Sequence, residues 1–282
     1  TTETLHYPEG LRVAIVHPGD RVSLQPRGFT LLETLACVMA FSVVLVLIAP
    51  AVWKAYERAG VATSAANIHA LTIGGMQYLA DNDHYFWKYR ESGYTVSSDD
   101  GSTQSGNKWW FGFESTSSGG AGEGNRTFDP SQSPLAGYVP RGVQPDPSFA
   151  AHTAAFKPKF KCGYIGVGYN VLLGGGWSAS SRTRTMSYWK LSDPSQVVVF
   201  TSSAQVNNFQ FPASASNPML EEFYGIDQNE KTVHFRYGKT AMVGYADGSC
   251  GFLPMDESSR DTRIKGVNIG RFAPVGSFKY LK

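Results

Sequence analysis

The sequence predicts an α+β fold: a long N-terminal helix, membrane-spanning over its first half, packed through its second half on an antiparallel β-sheet head. Three observations carry that prediction. From Phe29 to Val52 the chain is an apolar run whose only charged side chain is Glu33. From Trp53 to about Tyr89 apolar residues recur at helical spacing. From Phe160 onward, short β-branched and aromatic runs alternate with Gly, Pro, Asn and Asp turn chemistry.

The apolar run is about 24 residues long, and roughly 20 suffice for a helix to cross the hydrocarbon core of a bilayer. A carboxylate near one end of such a span is costly unless it is paired or close to the interface, so Glu33 is the span's candidate functional residue. Residues 1–28 carry Arg12, Arg21 and Arg27. Basic residues flanking a span stay on the cytoplasmic side, which puts residues 1–28 inside and the rest of the chain outside. The chain opens on Thr1 rather than Met, which points to a translational start upstream of it. Pro50 removes a backbone hydrogen bond and is expected to bend or soften the helix. Beyond the span, Ala65, Ile68, Leu71, Gly75 and Leu79 form one apolar stripe, the seat of the head. Gly74-Gly75 marks either a weak point or a place where a sheet comes close. The helix is expected over residues 29–90, with 29–52 in the membrane and 53–90 as an amphipathic spine.

Residues 91–159 read as a loop-rich insertion, because Asp99-Asp100-Gly101 and the stretch from Ser115 to Gly122 are turn chemistry. Inside it, Trp109-Trp110-Phe111-Gly112-Phe113 is an aromatic island. Such a cluster either plugs a long loop into the core or stacks on sugar rings or proteins. Asp81, Asp83, Asp99 and Asp100 raise the question of calcium but lack EF-hand spacing. Residues 160–282 form the β-rich head. Strands are expected within Ile165–Leu173, at Thr183–Lys190 and at Gln196–Phe200, with an irregular excursion from Asn207 to Gly225. A hairpin is expected from Thr240 to Leu253, turning at Asp247-Gly248 through a type I′ turn.

The formal net charge is +2, without a block of like charges, which excludes the basic footprint of a nucleic-acid binder. Of the three cysteines, Cys37 lies in the apolar span and behaves as a small hydrophobe. Cys162 and Cys250 fall in the part expected outside the membrane, as two unpaired thiols or as a disulfide; their spacing matches no zinc site. The six histidines form no HExxH or paired-ligand spacing. There is no Gly-x-Ser-x-Gly elbow and no P-loop. No catalytic constellation, cofactor site or metal site is expected, and the chain does not read as an enzyme.

Arg27-Gly28-Phe29-Thr30-Leu31-Leu32-Glu33, followed directly by the apolar span, resembles the processing signal of type IV prepilins and pseudopilins. The resemblance implies that a prepilin peptidase cuts between Gly28 and Phe29 and that the new amino group of Phe29 is N-methylated. It also implies a pilin-like fold and packing of the helix among like subunits in a filament core, where Glu33 pairs with the amino group of a neighbouring Phe29. A second resemblance runs from Phe235-Arg236-Tyr237-Gly238 to Tyr245-Ala246-Asp247-Gly248. It is similar to the processing-associated H-X9-DG segment of pilin-like proteins from planctomycete- and verrucomicrobia-type bacteria. Cys162, Gly168-Tyr169-Asn170 and Pro194-Ser195 stand in the order seen in that group. Where the segment has histidine this chain has Tyr237, with His234 nearby. The implied function is structural: a subunit of a type II secretion pseudopilus or type IV pilus-like filament. It would be anchored by one span in a bacterial inner membrane, with its head in the periplasm. The alternative is a membrane-tethered binding protein that captures polysaccharide or protein through the aromatic insertion.

Overall fold

The computed structural model describes residues 29–97, 101–149, 155–161, 165–177 and 182–273; contacts divide the chain into two units, Thr1–Trp53 and Lys54–Lys282. The helix α1 (Leu31–Asp81) passes through Pro50 without interruption. In the first unit every residue from Phe29 to Trp53 is exposed, and the most apolar stretch of the helix has a mean hydropathy of 2.7. This helix is long and apolar enough to cross a membrane.

In the second unit α1 stops at Asp81, short of the expected residue 90. Asn82 ends it by donating its side-chain amide to the Tyr78 carbonyl at 2.8 Å, and Asp83 follows in the left-handed region with φ 50°. The His84 N–H then reaches back to the Leu79 carbonyl at 2.9 Å, closing a Schellman-type terminus. The buried face of α1 includes Ser64, Ile68, Leu71, Gly75 and Leu79, in line with the expected stripe.

Among the described residues the head carries thirteen strands. The first seven are β1 (Arg90–Ser97), β2 (Thr103–Trp109), β3 (Gly112–Ser115), β4 (Phe156–Lys157), β5 (Val167–Asn170), β6 (Val198–Ser202) and β7 (Gln205–Asn207). The remainder are β8 (Met219–Glu221), β9 (Gly225–Ile226), β10 (Val233–His234), β11 (Thr240–Tyr245), β12 (Cys250–Pro254) and β13 (Ile269–Gly270). The main sheet has the order β12-β11-β6-β5-β9 and is antiparallel except where β9 joins β5. It meets α1 at Gly244 of β11, where an added Cβ would stand 2.0 Å from Thr72 Oγ1 and 3.3 Å from Ile68 Cγ2. Only a residue without a side chain fits there. The paired glycines expected as a weak point are contact points too: Gly75 lies under the Trp87 ring and Gly74 against Val139.

Within the loop-rich insertion, β1, β2 and β3 form an antiparallel sheet in that order. Strands β1 and β2 are polar and largely solvent-facing, so no apolar alternation announces them. Thr183–Lys190 is not a strand but ends in a 3-10 turn at Tyr188–Lys190. Its backbone is shared between two partners: Met186 donates to Leu173, while Met186 and Tyr188 bond Phe86 and His84. The β11–β12 turn is not type I′, because Gly248 has φ 92° while Asp247 is not in the left-handed region. Gly248 N bonds the Tyr245 carbonyl and Tyr245 N bonds the Ser249 carbonyl, a type I turn with a glycine bulge.

The aromatic island is a plug. Trp110 and Phe111 are the two loop residues between the paired Trp109 and Gly112, and both are fully buried. Trp110 donates its indole N–H to the Tyr224 carbonyl at 2.8 Å and packs on Phe200 at 5.3 Å, while Phe111 packs on Tyr224 at 4.6 Å. A two-residue hairpin loop ordinarily takes Asn or Gly. Burial of the two rings, rather than turn preference, holds this one. Trp110→Ala is therefore expected to destabilise the head by about 3–5 kcal/mol, and the exposed Trp189→Ala by less than about 0.5 kcal/mol. Urea unfolding of the detergent-solubilised chain measures both; equal midpoints for the two variants contradict the plug.

Candidate functional site

Two places bring the sequence-derived candidates into geometry: the start of α1 and the residues around Tyr237.

At the start of α1, Thr30 and Glu33 form a capping box. The Thr30 hydroxyl accepts from the Glu33 N–H at 3.2 Å, and Glu33 Oε2 accepts from the Thr30 N–H at 2.8 Å and from its hydroxyl at 2.9 Å. Orphan N–H groups of the first turn are thereby satisfied from within the same chain, and a negative charge sits at the positive end of the helix dipole. Phe29, just before the cap, is 82% exposed, and Gly28 lies outside the described residues. Thr30 was not singled out from the sequence, although its Thr-x-x-Glu spacing is the signal for it.

The second place is a buried carboxylate, Asp146. Its Oδ1 accepts from the Ser64 hydroxyl at 2.7 Å and from the Ser148 N–H at 2.8 Å. Its Oδ2 accepts from the Tyr237 hydroxyl at 2.6 Å and lies 3.6 Å from Arg236 Nη1. The Arg236 guanidinium stands 4.7 Å over the Phe149 ring and donates through Nη2 to the Gly166 carbonyl and to the Ser203 carbonyl at 3.3 Å. Burial, together with the neighbouring carboxylate, holds the Tyr237 phenol well above its ordinary range, although Arg236 pulls the other way. So Tyr237 is a neutral donor to a buried carboxylate. It ties the segment that leads into β11 to α1 and to the insertion. Neither Asp146 nor Ser64 carries a sequence signal, since their partners lie 82 and 91 positions away.

The other buried carboxylates are also engaged. Glu222 accepts from the backbone N–H groups of Lys159, Phe160 and Ile165 at 2.9, 3.2 and 3.1 Å. Glu221 pairs with Lys157 at 2.6 Å, and Glu114 with Arg126 at 2.6 Å. Each of these contacts clasps segments that are separate in the sequence. Cys250 is an exposed free thiol 3.9 Å from Thr72 Oγ1, and its suggested partner Cys162 lies outside the described residues. Among the described residues no group of three His, Cys, Asp or Glu side chains is placed to hold a metal ion; Asp99 and Asp100 lie outside them.

No family model, no curated protein and no solved structure matches the chain.

Removing the Asp146 carboxylate strands a buried guanidinium, so Asp146→Ala is expected to cost about 3–5 kcal/mol. Tyr237→Phe removes one hydrogen bond to a charged group and is expected to cost about 1.5–3 kcal/mol. Denaturant midpoints measure both, and a larger loss for Tyr237→Phe than for Asp146→Ala contradicts the node. Burial raises the Glu222 carboxyl above its ordinary 4.5, against the pull of its backbone donors. The folded chain therefore keeps a proton that the unfolded chain has already released. Glu222's contribution to stability is greatest below pH 4.5 and falls as pH rises through the raised value. Glu222→Gln is expected to remove that fall, read as unfolding free energy against pH; an unchanged slope contradicts it.

Proposed function

We propose that the protein is a prepilin-like structural subunit, cleaved between Gly28 and Phe29 and N-methylated there. It assembles with like subunits into a type II secretion pseudopilus or type IV pilus-like filament. The observation that carries this reading is the helix from Phe29 to Trp53, apolar on every side and exposed on every side, with a single carboxylate in its first turn. A helix of that kind is stable only in lipid or among other apolar helices. Inner membrane and filament core each supply such a setting, one before assembly and one after it. The head is then periplasmic, and the processing partner is a prepilin peptidase and N-methyltransferase.

The capping box gives Glu33 two tasks in this reading. Through Oε2 it caps its own helix, and its Oε1 makes no hydrogen bond among the described residues. Cleavage creates an ammonium at Phe29. In an apolar filament core an unpaired carboxylate costs roughly 2.5–3.5 kcal/mol on insertion scales. Pairing Oε1 with the Phe29 ammonium of a neighbouring subunit offsets that cost and selects axial register.

Capture through the aromatic insertion is the weaker reading, because Trp110, Phe111 and Phe113 are buried in the head. Mass spectrometry of the chain matured beside a prepilin peptidase is expected to show an N-terminus at methylated Phe29. Glu33→Val is expected to be cleaved but excluded from filaments, whereas Thr30→Ala loses about 1 kcal/mol of helix capping and still assembles. Cleavage at any other bond, or wild-type incorporation of Glu33→Val, defeats the reading.

A further inference from the structure

An open cleft of about 530 Å3 lies in the head where α1 ends, walled by the chain after Asn82, by the Lys108-Trp109 corner and by Thr183–Thr185. Its floor is rigid. Phe86 and Trp87 are buried, and the Trp87 ring stacks on Tyr169 at 5.0 Å with Tyr78 edge-on at 5.3 Å. Its rim is unspent. Tyr85 is 41% exposed and its ring packs on no other ring among the described residues. Asp83, Arg184 and Thr185 line the cleft too, and their side chains make no hydrogen bond or ion pair among the described residues.

A second observation extends the same wall. Trp189 is 70% exposed and packs only edge-on, against His84 at 4.7 Å and Tyr188 at 5.5 Å. It is tied to the cleft by the bridge between Tyr85 and Ser187 and by the Tyr188 N–H on the His84 carbonyl at 2.7 Å. Trp109, packed on Phe111 and beneath the Arg90 guanidinium, serves as wall rather than platform.

We propose that this cleft is a carbohydrate-binding site that takes a short run of a polysaccharide, with one pyranose against Tyr85 and the chain continuing toward Trp189. The chemistry of the rim selects the class. A pyranose offers an apolar C–H face that suits an exposed aromatic ring, and its edge carries hydroxyls that both donate and accept. The Asp83 carboxylate accepts from such hydroxyls, the Arg184 guanidinium donates to them, and Thr185 does either. The rim is mixed in charge, with Asp83 and Glu91 beside Lys88, Lys108 and Arg184 and with Lys88 paired to Glu91 at 3.3 Å, so neutral and acidic sugars both meet polar partners there. A purely apolar ligand leaves Asp83 and Arg184 desolvated without partners. The fixed floor means that little is reorganised on binding. The proposal rests on the head alone and is independent of filament assembly.

The test uses the full chain in detergent micelles, titrated calorimetrically with hexasaccharides of β-1,4-glucose, β-1,4-mannose, β-1,4-N-acetylglucosamine and α-1,4-galacturonate. An extended hexapeptide serves as the non-carbohydrate arm. At least one hexasaccharide is expected to bind saturably. Tyr85→Ala and Arg184→Ala are each expected to weaken it about tenfold at an unchanged unfolding midpoint. Trp189→Ala is expected to weaken the hexasaccharide more than the disaccharide of the same sugar. The proposal is overturned if every hexasaccharide fails to saturate at millimolar concentration. Wild-type affinity in both the Tyr85 and Arg184 variants, or preference for the hexapeptide, overturns it equally.

Discussion

The contact on which the head depends is that of α1 with the main sheet at Gly244. Thr72 turns its hydroxyl to the Ile68 carbonyl at 2.7 Å, so its polar atom is satisfied within the helix while its side chain lies against β11. Gly244 leaves room for it, and Gly75 leaves room for the Trp87 ring on the same helix. These close approaches let Ile68, Leu71 and Leu79 reach the aromatic core around Trp87, Trp110, Tyr169 and Phe200. A methyl group at Gly244 would collide with Thr72 and push the sheet off the helix, and every later contact of the head is built on that seat.

Around this apolar seat, buried charge sets the arrangement of segments that are far apart in the sequence. Asp146 joins α1, the insertion and the residues before β11 through Ser64 and Tyr237. Glu114, Arg126, Glu123, Lys157 and Glu221 form a continuous chain of ion pairs linking β3, the chain after it, β4 and β8. Pairs of this kind add little net stability, because desolvation opposes the attraction. Losing one partner is costly, however, so the networks penalise misplaced segments. That suits a head whose insertion has few apolar residues outside its plug.

The anchor and the head solve different problems. In the anchor, the apolar surface is continuous and one carboxylate is kept, satisfied locally by Thr30 with one oxygen to spare. In the head, most large aromatics are drawn inward, while Tyr85, Trp189, Phe209, Phe211 and Phe252 stay exposed. Tyr85 lines a cleft at whose rim Asp83, Arg184 and Thr185 make no hydrogen bond or ion pair among the described residues, whereas the aromatic island that stood out in the sequence is spent on the core.

Much of the architecture is legible in local pattern. The membrane-length helix, its amphipathic continuation, β6 and the β11–β12 hairpin all follow from periodicity and composition. Those signals are written within a dozen residues, where helix and strand geometry alone decide which side chains share a face. The capping box at Thr30 and Glu33 is equally local. The rest is decided by tertiary structure. The polar strands β1 and β2 are held by pairing rather than by apolar alternation, so no pattern marks them. The segment at Thr183–Lys190 alternates like a strand, yet its backbone partners lie on two different segments. The Asp-Gly turn takes one left-handed residue instead of two, because the register of β11 against β12 requires a bulge. Asp146 meets Ser64 and Tyr237, and Tyr85 and Arg184 come to line one cleft, only through chain closure over many tens of residues. No short-range propensity encodes such encounters; they arise when burial of the helix face and the aromatic plug fixes where each segment lies.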